Sequence, residues 1–250
     1  MWEGATEIPS ANVIGSNIAN ILLIIGFAAV FAKGTLSVKK DLVDLDIPLL
    51  ALSSLFLFGV AYDGTITLLE SLFLLVAFVI YVLYSLFHHD DAIPKEVVER
   101  PRVTIRDIVL LLVGFVFLIG GAKYLIDAVL ALSSTIGIPI GIITILAVAV
   151  GTSLPELIVS IKAARNGQGD LSIGNIYGSN IYNALFIVGA SGLFGTQHLD
   201  TTTLTLALPM FLATTFVFIT SSVSRRIHLW EGALYLLLYA LFVVKIFGWV

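Results

Sequence analysis

The residue best placed to do chemistry is Glu156, the only acid deep within any apolar stretch of the chain. It sits in AVAVGTSLPELIVSIKAARNG, from Ala147 to Gly167. A charge at the centre of a bilayer costs about 2.5–3.5 kcal/mol even on the lenient insertion scale, so an acid there points to function by default. The bland alternative is a protonated, hydrogen-bonded structural glutamate. Gly151 and Pro155 interrupt the same stretch. Proline removes a helix hydrogen bond and clashes with the preceding turn. The carbonyls freed near Ala149 to Gly151 then need partners, and such backbone persists at membrane depth only where it lines a cavity or is buried in protein. Bound cations suit these carbonyls. Thr152 and Ser153 precede Glu156 by four and three residues, which puts all three on one face if the turn stays roughly helical.

Two further segments carry oxygens at helical spacing. Ser179 and Asn183 are separated by four residues, as are Ser16 and Asn20. Three helices thus offer hydroxyl, amide and carboxylate oxygens. Hard cations such as Ca²⁺ take about 6–8 oxygen ligands, so the composition suits Ca²⁺ or Na⁺. With no cysteine and no histidine deep in any apolar span, a thiolate or imidazole site is excluded. The competing reading is packing glue, because Gly, Ser, Thr and Asn commonly mediate tight helix contacts in membranes. A hydrolase built on Ser153 and Glu156 lacks a second buried acid or base, so an enzyme is not expected.

The elements that must hold these residues are membrane helices. Hydrophobic residues make up 58% of the 250, charged residues only 12%, and mean hydropathy is +1.05. A soluble domain carries about 25% charged residues, so the chain reads as an integral membrane protein rather than a disordered, collagenous or disulfide-stapled one. A net charge of -4 without a basic run argues against a nucleic-acid partner. Residues 1–11 hold no Lys or Arg and no apolar core, so no signal peptide is expected there. Eight continuous apolar segments qualify as spans: 12–33, 47–62, 66–87, 106–130, 137–164, 173–195, 204–222 and 227–249. A β-barrel would instead show short alternating segments. Eleven of the 13 basic residues fall in alternate loops, which places the multi-pass chain, expected in the plasma membrane, with both termini non-cytoplasmic. The other two, Lys123 and Lys245, lie inside helices, where Lys123 can pair with Asp127. The hydrophilic stretch 88–105, with His88, His89, Asp90 and Asp91, reads as a solvated cytoplasmic linker rather than a metal site.

Self-similarity is the strongest signal. NVIGSNIAN at 12–20 and NIYGSNIYN at 175–183 agree at six of nine positions. After a two-residue slip the match resumes at Pro48/Pro209, Ile66/Ile227 and Glu70/Glu231. By the basic-residue count the two copies enter the membrane from opposite sides, as in the inverted repeats of secondary transporters. The expected division is 1–87, a partial first repeat of three spans; 88–105, the linker; and 106–250, a second repeat of five spans whose motif occupies 147–195.

GTSLPE at 151–156, followed by GNIYGSNIYN at 174–183, resembles the second alpha-repeat signature of the sodium/calcium exchanger family, within the calcium/cation antiporter group. ANVIGSNIAN at 11–20 resembles the tail of the first alpha-repeat. The likeness covers nearly the whole chain. It implies an all-α integral membrane fold of the inverted-repeat secondary transporter kind, with about eight of ten helices here, exchanging Na⁺ for Ca²⁺ by alternating access. Carried over position by position, Thr152, Ser153 and Glu156 would be ion ligands with the Ala149 carbonyl nearby. Ser179 and Asn183 would contribute from the next helix, and Ser16 and Asn20 from the first repeat. Two departures stand out. The leading repeat has no GTSLPE-like segment, and Asn183 stands where family exchangers often have aspartate. One carboxylate opposes at most one of calcium's two charges, so dehydrating the ion against it is costly. The expectation is a chain lacking the first two helices, transport-incompetent alone or completed by a second chain. The alternative is a non-transporting packing subunit, or one with Ca²⁺/H⁺ or K⁺-linked selectivity. Beyond the bilayer and the transported Ca²⁺ and Na⁺, no cofactor is implied.

Overall fold

A computed structural model describes residues 6–39, 42–88 and 104–248. Helix α1 (Ile8–Ala19) passes through a π-helical turn, Asn20–Ile25, into α2 (Gly26–Phe31), making one 24-residue span. A second π turn, Leu42–Asp46, leads into α3 (Ile47–Ala61), and α4 (Leu68–His88) follows. α5 (Ile105–Ile136) starts at a capping box between Thr104 and Asp107 and stops at Gly137, whose φ of 75° ends the helix. Next come α6 (Ile140–Ile143), a π turn at Thr144–Val148, α7 (Ala149–Thr152) and α8 (Leu154–Arg165). α9 (Gly169–Tyr182) continues through Asn183–Ile187 into α10 (Val188–Gly192). Thr203–Ala207 leads into α11 (Leu208–Val223), and α12 (Leu229–Ile246) closes the described chain. Prolines 9, 48, 155 and 209 each sit in the first turn of a helix, where the missing N–H has no partner to lose.

Ile8–Phe31, Leu42–Ala61, Leu68–Phe87, Thr203–Val223 and Leu229–Ile246 are each long and apolar enough to cross a membrane. The span over 137–164, interrupted in sequence at Gly151 and Pro155, is broken there: it bends by 48° between Ile140–Thr152 and Leu154–Arg165. The stretches 106–130 and 173–195 fall on α5 and on α9–α10. Residues 89–103, with the His89, Asp90 and Asp91 cluster, and the side chains of His88 and Lys123 lie outside the described residues.

Among the described residues, four two-residue strands tie the helix ends. β1 (Leu36–Ser37) pairs antiparallel with β4 (Arg226–Ile227), and β2 (Thr65–Ile66) pairs with β3 (Gln197–His198). Adding 161 to a first-half number takes β1 onto β3 and β2 onto β4, and it takes the register pair Leu36–Ile227 onto the pair Gln197–Ile66. β1 follows α2 while β2 follows α3, so the two ladders lie at opposite ends of the bundle, about 30 Å apart at 1.5 Å per residue of α-helix. α9 starts against β1, where a Cβ on Gly169 would meet the Ser37 nitrogen at 2.5 Å. α1–α2 ends just before that same ladder. The copies of the motif therefore run in opposite directions, and the fold is an inverted repeat.

The first span is the innermost of the five: 83% of its apolar window is buried, against 11% for Leu68–Phe87. Ile14, Ile18, Ile21, Leu22 and Ile25 pack on Tyr177, Phe211 and Phe218. Apolar side chains such as Phe73, Ile80 and Leu237 point outward, as a lipid-facing surface requires. Close approach needs small residues. A Cβ on Gly15 would lie 2.6 Å from the Ile145 carbonyl oxygen, so only glycine lets α1 rest on the α6–α7 segment.

Candidate functional site

The two copies of the motif cross at the centre of the bundle, and their polar residues meet there. Asn17 Nδ2 donates to the Asn180 carbonyl at 3.1 Å, and Asn180 Nδ2 donates to the Asn17 carbonyl at 3.4 Å. Asn20 Nδ2 donates to Asn180 Oδ1 at 2.9 Å, and Asn183 Nδ2 donates to Asn17 Oδ1 at 3.1 Å. Each bond of the first repeat thus has its counterpart from the second. Asn17, Asn20 and Asn180 are completely buried, and Asn183 is half-buried. Asn20 and Asn183 are also the first residues of π turns, which occur frequently at functional sites.

Around this frame stand the hydroxyls and the acid. Asn20 Nδ2 also reaches Ser179 Oγ at 3.5 Å, and Ser179 donates to Glu156 Oε1 at 3.4 Å. On the other flank Ser16 Oγ donates to the Ala149 carbonyl and faces Thr152 Oγ1, both at 3.3 Å. Thr152 Oγ1 lies 3.0 Å from the Ala149 carbonyl and 3.4 Å from Asn12 Oδ1. Beside the break the Ser153 amide donates to the Ala149 and Val150 oxygens at 3.2 Å each, the first being the ordinary i+4 helix bond. Ser153 itself is buried at the bend.

Of the eight positions named from the sequence, Ser16, Ala149 and Thr152 form one cluster and Asn20, Glu156 and Ser179 another. Asn183 joins the second through Asn17 and Asn180. Ser153 contributes its backbone to the first. Sequence reasoning missed Asn12, Asn17 and Asn180 as members of the network. Asn17 and Asn180 were visible only as identities between the repeats, three residues ahead of Asn20 and Asn183.

Bond lengths divide the network in two. Three of the four asparagine–asparagine bonds span 2.9–3.1 Å, ordinary for N–H···O. Most contacts made by the hydroxyls of Ser16, Thr152 and Ser179 are stretched to 3.3–3.5 Å, beyond the usual range; the exception is Thr152 Oγ1 on the Ala149 carbonyl at 3.0 Å. The amides form a frame, and the oxygens around it are loosely committed. Two oxygens are not committed at all: Glu156 Oε2 and Asn20 Oδ1 are buried without a hydrogen-bond partner. A buried acceptor left unsatisfied costs about 1–3 kcal/mol, more when charged. Among the described residues the one salt bridge joins Lys39 to Asp170, so no cation of the protein compensates Glu156 there. The arrangement can accept a positive ion: one carboxylate, two amide oxygens, several hydroxyls and a carbonyl, converging from α1, α7, α8 and α9.

Comparison with known proteins agrees with this architecture. The sodium/calcium exchanger protein family profile matches residues 1–87 and 107–248. The sodium/calcium exchanger MaX1 of Methanosarcina acetivorans is 37% identical over 143 residues, covering 57% of this chain and 41% of that protein. The inner membrane protein YrbG of Escherichia coli is 30% identical over 204 residues, covering 78% of this chain and 62% of that protein. A solved structure of the sodium-calcium exchanger NCX_Mj soaked with Na⁺ and Sr²⁺ superposes with a TM-score of 0.70 at 28% identity, over 96% of this chain and 77% of the other. The chain is an integral, multi-pass membrane protein with the fold of a secondary cation antiporter, and it belongs to the sodium/calcium exchanger family.

Proposed function

We propose that this chain forms the ion-translocating core of a Na⁺/Ca²⁺ antiporter. Glu156, Asn20, Asn183, Ser16, Thr152, Ser153, Ser179 and the Ala149 carbonyl are the ligands offered in turn to Ca²⁺ and Na⁺. The observation that carries this reading is the pair of buried, unpartnered oxygens, Glu156 Oε2 and Asn20 Oδ1, at the crossing of two inverted helices. A hard cation satisfies both at once. The names of the relatives support the choice of ions, and the all-oxygen donor set supports it chemically.

Alternating access fits the inversion. The ladder β1·β4 and its counterpart β2·β3 close opposite ends of the same site. Loosening one while the other holds exposes the site to one side at a time. The basic residues Lys33, Lys39, Arg225 and Arg226 gather at the β1·β4 end, which supports a cytoplasmic location for that end and non-cytoplasmic termini, in a plasma membrane. A single carboxylate leaves one charge of Ca²⁺ to neutral oxygens, so helices supplied by a partner chain would strengthen divalent binding. The test is Na⁺-gradient-driven ⁴⁵Ca uptake into vesicles reconstituted with the protein. Uptake should require Glu156, and undiminished uptake by Glu156→Gln would overturn the proposal.

A further inference from the structure

We infer that Asn17 and Asn180 are positioning residues: each holds the amide of the opposite repeat's ligand asparagine, so that its oxygen and not its NH₂ group faces the ion. This rests on the reading above, that Asn20 and Asn183 receive a cation.

The problem they solve is intrinsic to the amide group. The two ends of an asparagine amide are nearly the same size, so packing alone does not choose between them. The electrostatic outcomes are opposite, since a flipped amide points two donor hydrogens at a cation. Only hydrogen-bond partners that tell donor from acceptor fix the choice. At Asn20 the two hydrogens of Nδ2 are directed to Asn180 Oδ1 at 2.9 Å and Ser179 Oγ at 3.5 Å, and Oδ1 is left buried and free. At Asn183 the Nδ2 group is held by Asn17 Oδ1 at 3.1 Å.

Asn17 and Asn180 can accept in this way because their own orientation is fixed. Each donates its Nδ2 to the other's backbone carbonyl, at 3.1 and 3.4 Å. A backbone carbonyl only accepts, so each side chain must present nitrogen to the backbone and oxygen to the neighbouring asparagine. Both are wholly buried, and no water competes for those groups. Orientation thus passes from a backbone oxygen, through a positioning amide, to a ligand amide, and it does so twice by symmetry. Partners that orient metal ligands from behind typically carry 10–100-fold of metal affinity.

The pattern predicts which residues are energetically coupled. The pairs are Asn17 with Asn183 and Asn180 with Asn20, each across the repeats. Asn17 with Asn20, and Asn180 with Asn183, share a helix but not this bond. In the reconstituted full chain, Ca²⁺ affinity is measured from the Ca²⁺-dependent rise in Tm for single and double alanine variants. N17A, N180A, N20A and N183A should each weaken Ca²⁺ about 10-fold. N17A/N183A and N180A/N20A should be no worse than their poorer single, whereas N17A/N20A and N180A/N183A should approach the product of the two losses. The Ca²⁺-free Tm of each variant, read from the same titration, separates a lost ion response from a fold defect. Equal additivity in all four pairs, or N17A and N180A with unchanged affinity, overturns the inference while leaving the proposed function intact. Unchanged affinity in E156Q removes the cation site itself, and the inference with it.

Discussion

Lys39 and Asp170 form an ion pair of 3.0 Å at the β1·β4 end, and the positions equivalent to them in the other repeat, Asp200 and Glu7, carry like charges instead. The third member of each group is Ser37 at one end and His198 at the other. The inverted repeat thus closes its two ends with matching backbone ladders and opposite electrostatics. Acid should act on the ends in opposite senses.

At the first end, burial works against the Asp170 carboxylate, but hydrogen bonds from Lys39 and Ser37 outweigh it and hold its pKa below the ordinary aspartate value. A depressed folded-state pKa contributes stability above the unfolded pKa and loses it as pH falls through the folded value. Lys39 is largely exposed and Asp170 half-buried, so solvent screens the pair and its contribution is below about 1 kcal/mol. Asp170→Asn should lower Tm slightly at neutral pH, and the difference from the parent should vanish in acid. A difference that grew as pH fell would show that the pair does not tie this end.

At the second end, burial raises the Glu7 pKa, the Asp200 charge raises it further, and His198 opposes both. A raised folded-state pKa contributes stability below the unfolded pKa, lost as pH rises through the folded value. Glu7→Gln removes the charge permanently. It should therefore raise Tm at neutral pH and leave it unchanged in acid, the reverse of Asp170→Asn. A Tm scan of both variants across the same pH series checks the pair of signs together.

Gly15 and Gly178 occupy the same position of the motif, yet they are not equivalent. A Cβ at Gly15 would meet the Ile145 backbone oxygen at 2.6 Å and the Ala149 Cβ at 2.8 Å, while one at Gly178 would meet nothing within 4 Å. Within this chain α6–α8 have no counterpart from the first repeat among the described residues, so nothing described packs where Gly178 faces. Gly15→Ala should cost about 1–3 kcal/mol, because backbone must separate. Gly178→Ala should be neutral or gain up to about 1 kcal/mol from helix propensity. Equal losses at both sites would mean that a helix from elsewhere covers Gly178 in the membrane.

Much of this was legible in the residues. Glu156 announced itself because a lone acid in an apolar stretch is too costly to keep without a task, and the paired GSN motifs marked two related helices. The break before Glu156 was marked as well, by Gly151 and Pro155 four residues apart in an apolar run. Two things stayed hidden for physical reasons. The π turns leave no pattern in apolar sequence. The roles of Asn17 and Asn180 depend on a crossing that brings residues 163 positions apart into one hydrogen-bonded group. Conversely, the match between Glu70 and Glu231 has a plain local cause: each carboxylate caps its own helix, taking the amides of Thr67 and His228.

Thr152 offers the sharpest separation of fold from function. Its hydroxyl donates to the Ala149 carbonyl at 3.0 Å, an arrangement that spends the hydrogen and leaves the oxygen lone pairs free. Ser16 does the same at 3.3 Å, and the Ser153 amide supports the same carbonyl at 3.2 Å. Removing one of three donors leaves Ala149 satisfied, so Thr152→Val, which keeps the branched shape, should shift the ion-free stability by less than about 1 kcal/mol. Ca²⁺ loses a ligand oxygen outright, and its apparent affinity should fall by about 10-fold, with Thr152→Ser restoring it. Calcium titration of Tm reads both quantities from one sample. If Thr152→Val loses ion-free stability yet keeps its calcium response, the hydroxyl serves the helix break rather than the ion.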